Sequence, residues 1–429
     1  MTTQKTYQTP HLTTASVAPL HLLERQLLNK EKEIEEWFAA QWQLSPAPIY
    51  GSVDLRNAGF KLAPIDMNLF PAGFNNLSPE FLPLSIEAAR LAITQQQPAV
   101  RNILLVPENH TRNLYYWENI KTLLHILTAA GFNVRLGSLL TEPQTITLAS
   151  GEIIKLDLIK RQQNKIGIDD FVPDMILLNN DLSAGIPDIL QNLQQPLVPP
   201  AELGWSQRLK SGHFQYYADI SQTFAQLIDI DPWFIAPMFM HCGAIDFMHR
   251  DGEDCLTRDT AKLLEAIQKK YDEYQISCNP FVIIKADAGT YGMAVMTVRD
   301  AEEIRSLTRK ERTHMSKSKG GQPVHRVIVQ EGVYTFETWS VSDAVAEPVV
   351  YLWGQRVVGG FYRVHKERGI DENLNAPGMH FEPLAFATAC HQPDKISSDN
   401  CQNRFYAYGV IARLSMLAAA REIVEQMKR

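Results

Sequence analysis

Residues 279–295, Asn-Pro-Phe-Val-Ile-Ile-Lys-Ala-Asp-Ala-Gly-Thr-Tyr-Gly-Met-Ala-Val, set the strongest local constraint on this chain. An apolar run, Phe281 to Ile284, leads straight to Lys285. A small turn punctuated by Gly289 and Gly292 follows, and a second apolar run opens at Met293. That order reads as strand, turn, strand, with a cation where the first strand stops. Glycines let backbone N–H groups approach an anion closely, and the lysine adds positive charge, so the device suits a phosphate. It is not a P-loop, because no Gly-Lys-Ser/Thr follows and no helix opens after it. It is not a Rossmann turn, because strand follows strand. Taken alone, the turn reads equally well as an ordinary hairpin with a surface lysine. The residues downstream have to decide.

With 429 residues, the chain exceeds one core and predicts two or three domains. The formal net charge of −7 gives no general basic field for nucleic acid. No run approaches the ~18 apolar residues of a membrane span. The opening Met1-Thr2-Thr3-Gln4-Lys5-Thr6 lacks a secretory layout. The five cysteines, Cys242, Cys255, Cys278, Cys390 and Cys401, are widely spaced without Cys-x-x-Cys. They predict reduced thiols in a cytoplasmic protein, while the charge and the apolar runs predict no nucleic-acid partner and no membrane.

Apolar spacing predicts one long amphipathic helix over 20–43. Residues 51–84 show little periodicity, with polar residues set among prolines and glycines. Helices at 86–96 and 114–130 then alternate with strands at 103–106, 133–136, 153–159 and 175–178. Gly131 is placed to close the second helix. That alternation argues an α/β layer with parallel strands, whose ligand groups lie at strand C-termini. Glu108-Asn109-His110 and Asn179-Asn180-Asp181 stand at such ends, where plain loop polarity explains them equally. Pro196-Leu197-Val198-Pro199-Pro200 breaks the alternation. We therefore expect an N-terminal helix plus α/β domain over 1–203 and a second, α+β domain over 204–429. The second predicts helices at 206–228, 259–274 and 301–308. A polar, basic stretch at 309–323 reads as a solvated loop or a lid over a phosphate site.

The second half supplies a chemical set. A strand at 327–333 ends in Gln330-Glu331-Gly332-Val333, Glu337 lies just beyond, and Glu347 and Arg363 flank a strand pair. Asp371 to Gly378 forms a polar loop containing Glu372, Asn373 and Asn375. Mg²⁺ takes hard oxygen ligands and keeps water and phosphate oxygens, which Glu347, Glu372 and Asn373 or Asn375 suit. Arg363 can neutralise a transferring phosphoryl group, and Lys285 can hold phosphates. Each residue has a plain alternative, since acids at strand ends are commonly solvated and a surface ion pair contributes little. The order is more specific than any member.

That order resembles the ATP-grasp superfamily of carboxylate–amine ligases over roughly 204–429. The resemblance implies an ATP-grasp-like fold behind the α/β domain, with ATP and Mg²⁺ as cofactors and Mn²⁺ as the alternative. It implies that Lys285, Gly289, Thr290, Tyr291 and Gly292 hold phosphates and that Gln330, Glu331 and Val333 hold adenine. It implies ribose on Glu337, metal on Glu347, Glu372 and Asn373 or Asn375, and catalytic roles for Lys285 and Arg363. Such enzymes also carry an earlier ATP lysine, for which Lys262, Lys269 and Lys270 stand open.

A narrower resemblance rests on residues 52–77, on Pro-Glu-Asn-His-Thr-Arg at 107–112 and on 285–292. These stretches look like the proteobacterial glutamate–cysteine ligase family first described from iron-oxidising bacteria. The resemblance implies ATP-dependent joining of L-glutamate to L-cysteine through γ-glutamyl phosphate, the first step of glutathione biosynthesis. An amino-acid substrate needs a cation for its carboxylate, which Arg56 or Lys61 supplies, and acceptors for its ammonium, which Asp66 and Asn68 supply. Asn75 and Asn76 can bond to either. The structural alternative is a loop whose asparagines serve turn chemistry. Other functions left open are a ligase of the same class acting on another amino acid or peptide, and a nucleotide-binding regulator without activity. A homo-oligomer is also left open.

Overall fold

In the computed structural model, residues 18–108, 113–289, 294–317, 323–339, 344–384 and 404–428 are described. Three large sheets organise them, beside a two-stranded ribbon of Lys160–Gln162 and Lys165–Gly167. The first runs Leu197–Val198, Met175–Asn179, Asn102–Pro107, Asn133–Ser138, Ile153–Leu158, Gln144–Thr147. All its pairs are parallel except the last. Its central strands are apolar along their length because both faces are covered, and Met175–Asn179 is buried throughout. Helix Leu114–Ala129 contributes Trp117, Ile120, Leu123 and Leu127 to that layer. It stops where Gly131 takes φ +97°. The expected α/β alternation is present.

The second sheet is antiparallel, in the order His380–Pro383, Arg356–His365, Ala344–Trp353, Tyr50–Asn57, Leu62–Asn68. Glu337–Trp339 also pairs with Ala344–Trp353. Residues 51–84, expected to be aperiodic, thus open with a β-hairpin. Tyr50–Asn57 is buried at seven of its eight positions, so apolar and polar residues do not alternate along it. Its polar members Arg56 and Asn57 are paired inside rather than solvated. The sheet draws strands from both sides of residue 203. Helix Arg404–Gln426, not anticipated from sequence, lies against these strands and against helix Lys210–Ile228. Its Tyr408, Ile411, Leu414 and Leu417 are fully buried.

The third sheet is antiparallel, in the order Phe239–Cys242, Val327–Glu331, Val282–Ala286, Val295–Val298. Helix Glu253–Glu273 covers one face with Leu256, Leu263 and Ile267. The expected Lys285 hairpin is therefore real, with Lys285 opposite Val295. Three local expectations change. The helix expected over 20–43 is two helices, Ala18–Asn29 and Glu31–Leu44, meeting at Lys30, whose φ −108° and ψ 17° leave the helical region. The helix expected over 301–308 is a single turn, Ala301–Glu303. The stretch expected as a loop opens with helix Arg309–Met315, nucleated by a capping box between Thr308 and Glu311.

Candidate active site

The third sheet and the hairpin of the second face each other across a cleft with about 110 Å³ of open space. Strand periodicity builds the first wall. Lys285 and Ile283 share one face of Val282–Ala286, and their ladder partners are Ile328 and Gln330. Lys285 donates to the Ile65 carbonyl at 2.7 Å, which brings it against the hairpin. Burial pushes its ammonium down to about 8; Asp66 opposes that shift and Lys210 adds to it. Gln330 is 2 % exposed, and its Nε2 donor has no partner among the described residues. Gly289, at φ +109°, and Val333 complete this side.

The second wall is an ionic lattice. Arg56 donates from Nε to Glu347 Oε2 at 2.9 Å, from Nη1 to the Val333 carbonyl at 3.2 Å and from Nη2 to the Glu372 carbonyl at 2.5 Å. Arg363 stands opposite Glu347 in the ladder. Its Nη1 donates to Glu347 Oε1 and, at 2.9 Å, to Asp54 Oδ2. Burial raises the Glu347 carboxyl, but Arg56 and Arg363 outweigh it and hold the group below its usual range. Burial, though opposed by Arg363, leaves Asp54 above its usual range, with Glu347 and Asp66 adding to the rise. Burial also works against ionised Asp66, yet Lys210, Lys285 and Arg208 hold it low.

Several expected site residues are elsewhere. Lys61 donates to Glu331 at 2.7 Å, beneath Trp233, and Glu331 also accepts from Trp233 Nε1 and the Met238 amide. Glu331 lines the cleft, but its carboxylate is taken up by these three partners. Glu337 is wholly buried and accepts from Asn57 and Tyr408, behind the sheet rather than in the cleft. Asn68 closes a turn with Phe70, and Asn75 bonds to Asn76, so none of the three lines the cleft. The Glu372 carboxylate turns to Arg368 and the Gly369 amide. Asn373 and Asn375 do line the cleft, with Asn373 Oδ1 accepting from the Asn375 amide. Lys262, Lys269 and Lys270 are ion-paired to Asp259, Glu265, and Asp231 with Glu273 respectively, and none lines the cleft. Thr290, Tyr291 and Gly292, with Asn109 and His110, lie outside the described residues.

Two charged cleft residues escaped the sequence reading, Asp54 and Lys210. Lys210 is the first residue of helix Lys210–Ile228 and donates to Asp66 at 3.3 Å. Asp287, two residues after Lys285, accepts from the Ser211 amide and hydroxyl, each at 2.7 Å, and fixes this helix start. A lysine at a helix N-terminus runs against the macrodipole, and that mismatch was the available signal.

Among the described residues, no three His, Cys, Asp or Glu side chains gather as metal ligands. An all-protein metal cage is therefore not preformed there. Mg²⁺ entering with phosphates needs only one or two protein oxygens. Glu347 and Asn375 both line the cleft; the Glu347 oxygens already accept from Arg56 and Arg363, so a metal there would use their remaining lone pairs.

Residues 24–423 match the family described as GshA, glutamate-cysteine ligase. The solved structure of a protein provisionally described as a gamma-glutamylcysteine synthetase, from Methylobacillus flagellatus KT, is 55% identical. The match covers 97% of this chain and 99% of that one, with a TM-score of 0.89. D-alanyl-alanine synthetase A from Vibrio cholerae is 11% identical over 73% of this chain and 81% of its own, with a TM-score of 0.32. A glutathione synthetase-like effector from Globodera pallida is 12% identical over 83% and 80%, with a TM-score of 0.36. No curated protein matches the sequence. Fold and cleft thus belong to an enzyme of the ligase class. The chain is a member of the glutamate–cysteine ligase family.

Proposed function

We propose that this chain makes γ-L-glutamyl-L-cysteine from L-glutamate, L-cysteine and ATP in the cytoplasm, in an ATP-grasp-like cleft. One observation carries the reading. A strand-borne lysine and an unpaired buried amide, Lys285 and Gln330, face a hairpin presenting Asp54, Arg56 and Asp66 across a single cleft. The first wall suits a nucleotide triphosphate and the second an amino acid.

In this reading adenine lies by Gln330 and Val333, and the phosphates lie by Lys285, Gly289 and Lys210. Glu347 and Asn375 would hold Mg²⁺, or Mn²⁺ as the alternative, which would supply charge neutralisation at the phosphates. Arg363 is locked by Asp54 and Glu347, so its charge is already oriented before phosphoryl transfer. A glutamate γ-carboxylate oxygen attacks the γ-phosphorus, and the bond to ADP breaks. The cysteine amine then attacks the acyl carbon, phosphate leaves, and the amine gives up its proton. No covalent enzyme intermediate is needed, and positioning with charge neutralisation carries the rate.

The test is ADP release by the purified protein with Mg²⁺, ATP and glutamate, with and without cysteine. Release that requires both amino acids, with γ-glutamylcysteine as product, supports the reading. Release with another amine but not cysteine would replace it with a different ligase.

A further inference from the structure

Helix Lys210–Ile228 begins without a local cap. The residue before it, Leu209, supplies no side-chain acceptor, and Lys210 carries positive charge where the macrodipole disfavours it. The cap comes instead from Asp287, 76 residues beyond Ser211. Its carbonyl accepts from the Lys210 amide at 2.8 Å, and its two carboxylate oxygens accept from the Ser211 amide and hydroxyl, each at 2.7 Å. Its own amide donates to the Arg326 carbonyl at 3.0 Å. Asp287 is 2% exposed and does not line the cleft. A serine or aspartate at position 209 would cap the helix equally well. A remote cap does what a local one cannot: it fastens the helix start to the end of strand Val282–Ala286, two residues from Lys285.

The two lysines so fastened meet neighbouring residues of the opposite hairpin. Lys285 donates to the Ile65 carbonyl at 2.7 Å and Lys210 to Asp66 at 3.3 Å. The Lys210 ammonium also lies 3.6 Å from the centroid of the Trp205 ring. Both lysines line the cleft beside Gly289. A lysine side chain is rich in rotamers, so two of them grip one anion well only when their backbones keep a fixed separation. We propose that Asp287 is a positioning residue for nucleotide binding: it touches no ligand and holds Lys210 at the separation from Lys285 that the ATP phosphates require. The inference rests on the ligase reading above, which puts the phosphates beside these lysines. Without the junction the helix start is free to shift, and Lys210 no longer meets the phosphates in a set geometry.

The experiment is a double-mutant cycle on equilibrium binding of ATP with Mg²⁺ to the full chain, using Asp287→Ala and Lys210→Met. Asp287→Ala should weaken binding by about 10-fold, but by under about twofold beside Lys210→Met, because nothing is left to position. Asp287→Asn keeps an acceptor for the Ser211 amide, and its Nδ2 can donate to the Ser211 hydroxyl, so it should bind ATP within about threefold of the full chain. Ser211→Ala removes a single bond and should cost about threefold, a loss that also vanishes beside Lys210→Met. That variant carries the test where Asp287→Ala does not fold. Equal losses with and without Lys210 are the mark of a purely structural role and would overturn the inference. Asp287→Asn binding as weakly as Asp287→Ala would overturn it too, by assigning the effect to charge rather than placement. Either result leaves the ligase reading intact. A full chain that binds no ATP brings that reading down, and the inference with it.

Discussion

Lys61 and Lys285 are both buried lysines whose ammonium groups burial pushes down to about 8. Their surroundings then diverge. Lys61 is 1% exposed, ion-paired to Glu331 and roofed by Trp233, and it does not line the cleft. Among the described residues Lys285 has one carbonyl partner, Ile65, and it faces a cleft. What separates a structural cation from a ligand-binding one is unspent hydrogen-bonding capacity, not burial and not a shifted pKa. Lys61 ties strand Val327–Glu331 to the hairpin, whereas Lys285 keeps donors for something else.

That contrast can be broken by substitution. Lys61→Met should produce the largest stability loss, about 3–5 kcal/mol, because it strands the buried Glu331 charge. Urea denaturation reads it, and Lys61→Met with Glu331→Gln should recover much of the loss. Lys285→Met should leave the urea midpoint level or higher yet lower turnover by about 10²- to 10³-fold, the usual cost of removing one preorganised charge-stabilising donor. A loss of stability there and retained turnover would reverse the assignment of the two lysines.

The pH response separates them further. Lys285 is charged in the folded protein only below about 8, against 10.5 for the ordinary side chain. The KM for ATP should therefore climb as pH rises through about 8, and Lys285→Arg should remove that limb. Between about 8 and 10.5 the unfolded chain holds more protons at both lysines than the folded one. Stability should rise with pH across that window, and Lys61→Met should flatten the rise with little change in the ATP limb. The smallest effect is expected at Glu372. Its carboxylate faces Arg368 in a half-exposed i,i+4 pair, so Glu372→Gln should cost under about 1 kcal/mol. Its Mg²⁺ half-saturation, read from ADP release, should stay unchanged.

The sequence disclosed what depends on local periodicity. The parallel layer, the Lys285 hairpin and the Gln330 strand all follow from short apolar runs and turn residues. Residues 50–68 were opaque for a physical reason. Their charges are neutralised by Glu347 and Glu331 far along the chain, so a buried strand reads as a polar loop. Arg56, Asp66, Lys285 and Arg363, far apart in sequence, line one cleft. Asp54 and Lys210 gave weaker signals, because their roles arise only when the hairpin meets Ala344–Trp353 and when Asp287 caps the helix. Glu337 and Glu372 show the converse. Their positions in the order fitted a ligand role, but their carboxylates turn to protein partners.

The pairing of Tyr50–Asn57 with Ala344–Trp353 also governs how such a chain is made. During synthesis the early hairpin waits for a partner nearly three hundred residues away, holding a bare edge strand meanwhile. Contacts so distant in sequence slow folding, and bare strand edges invite intermolecular pairing. The cleft acquires its second wall only when that late strand arrives, so a ribosome-bound fragment has the hairpin's acids without the arginine and glutamate that balance them. Catalytic competence and escape from aggregation come in the same step.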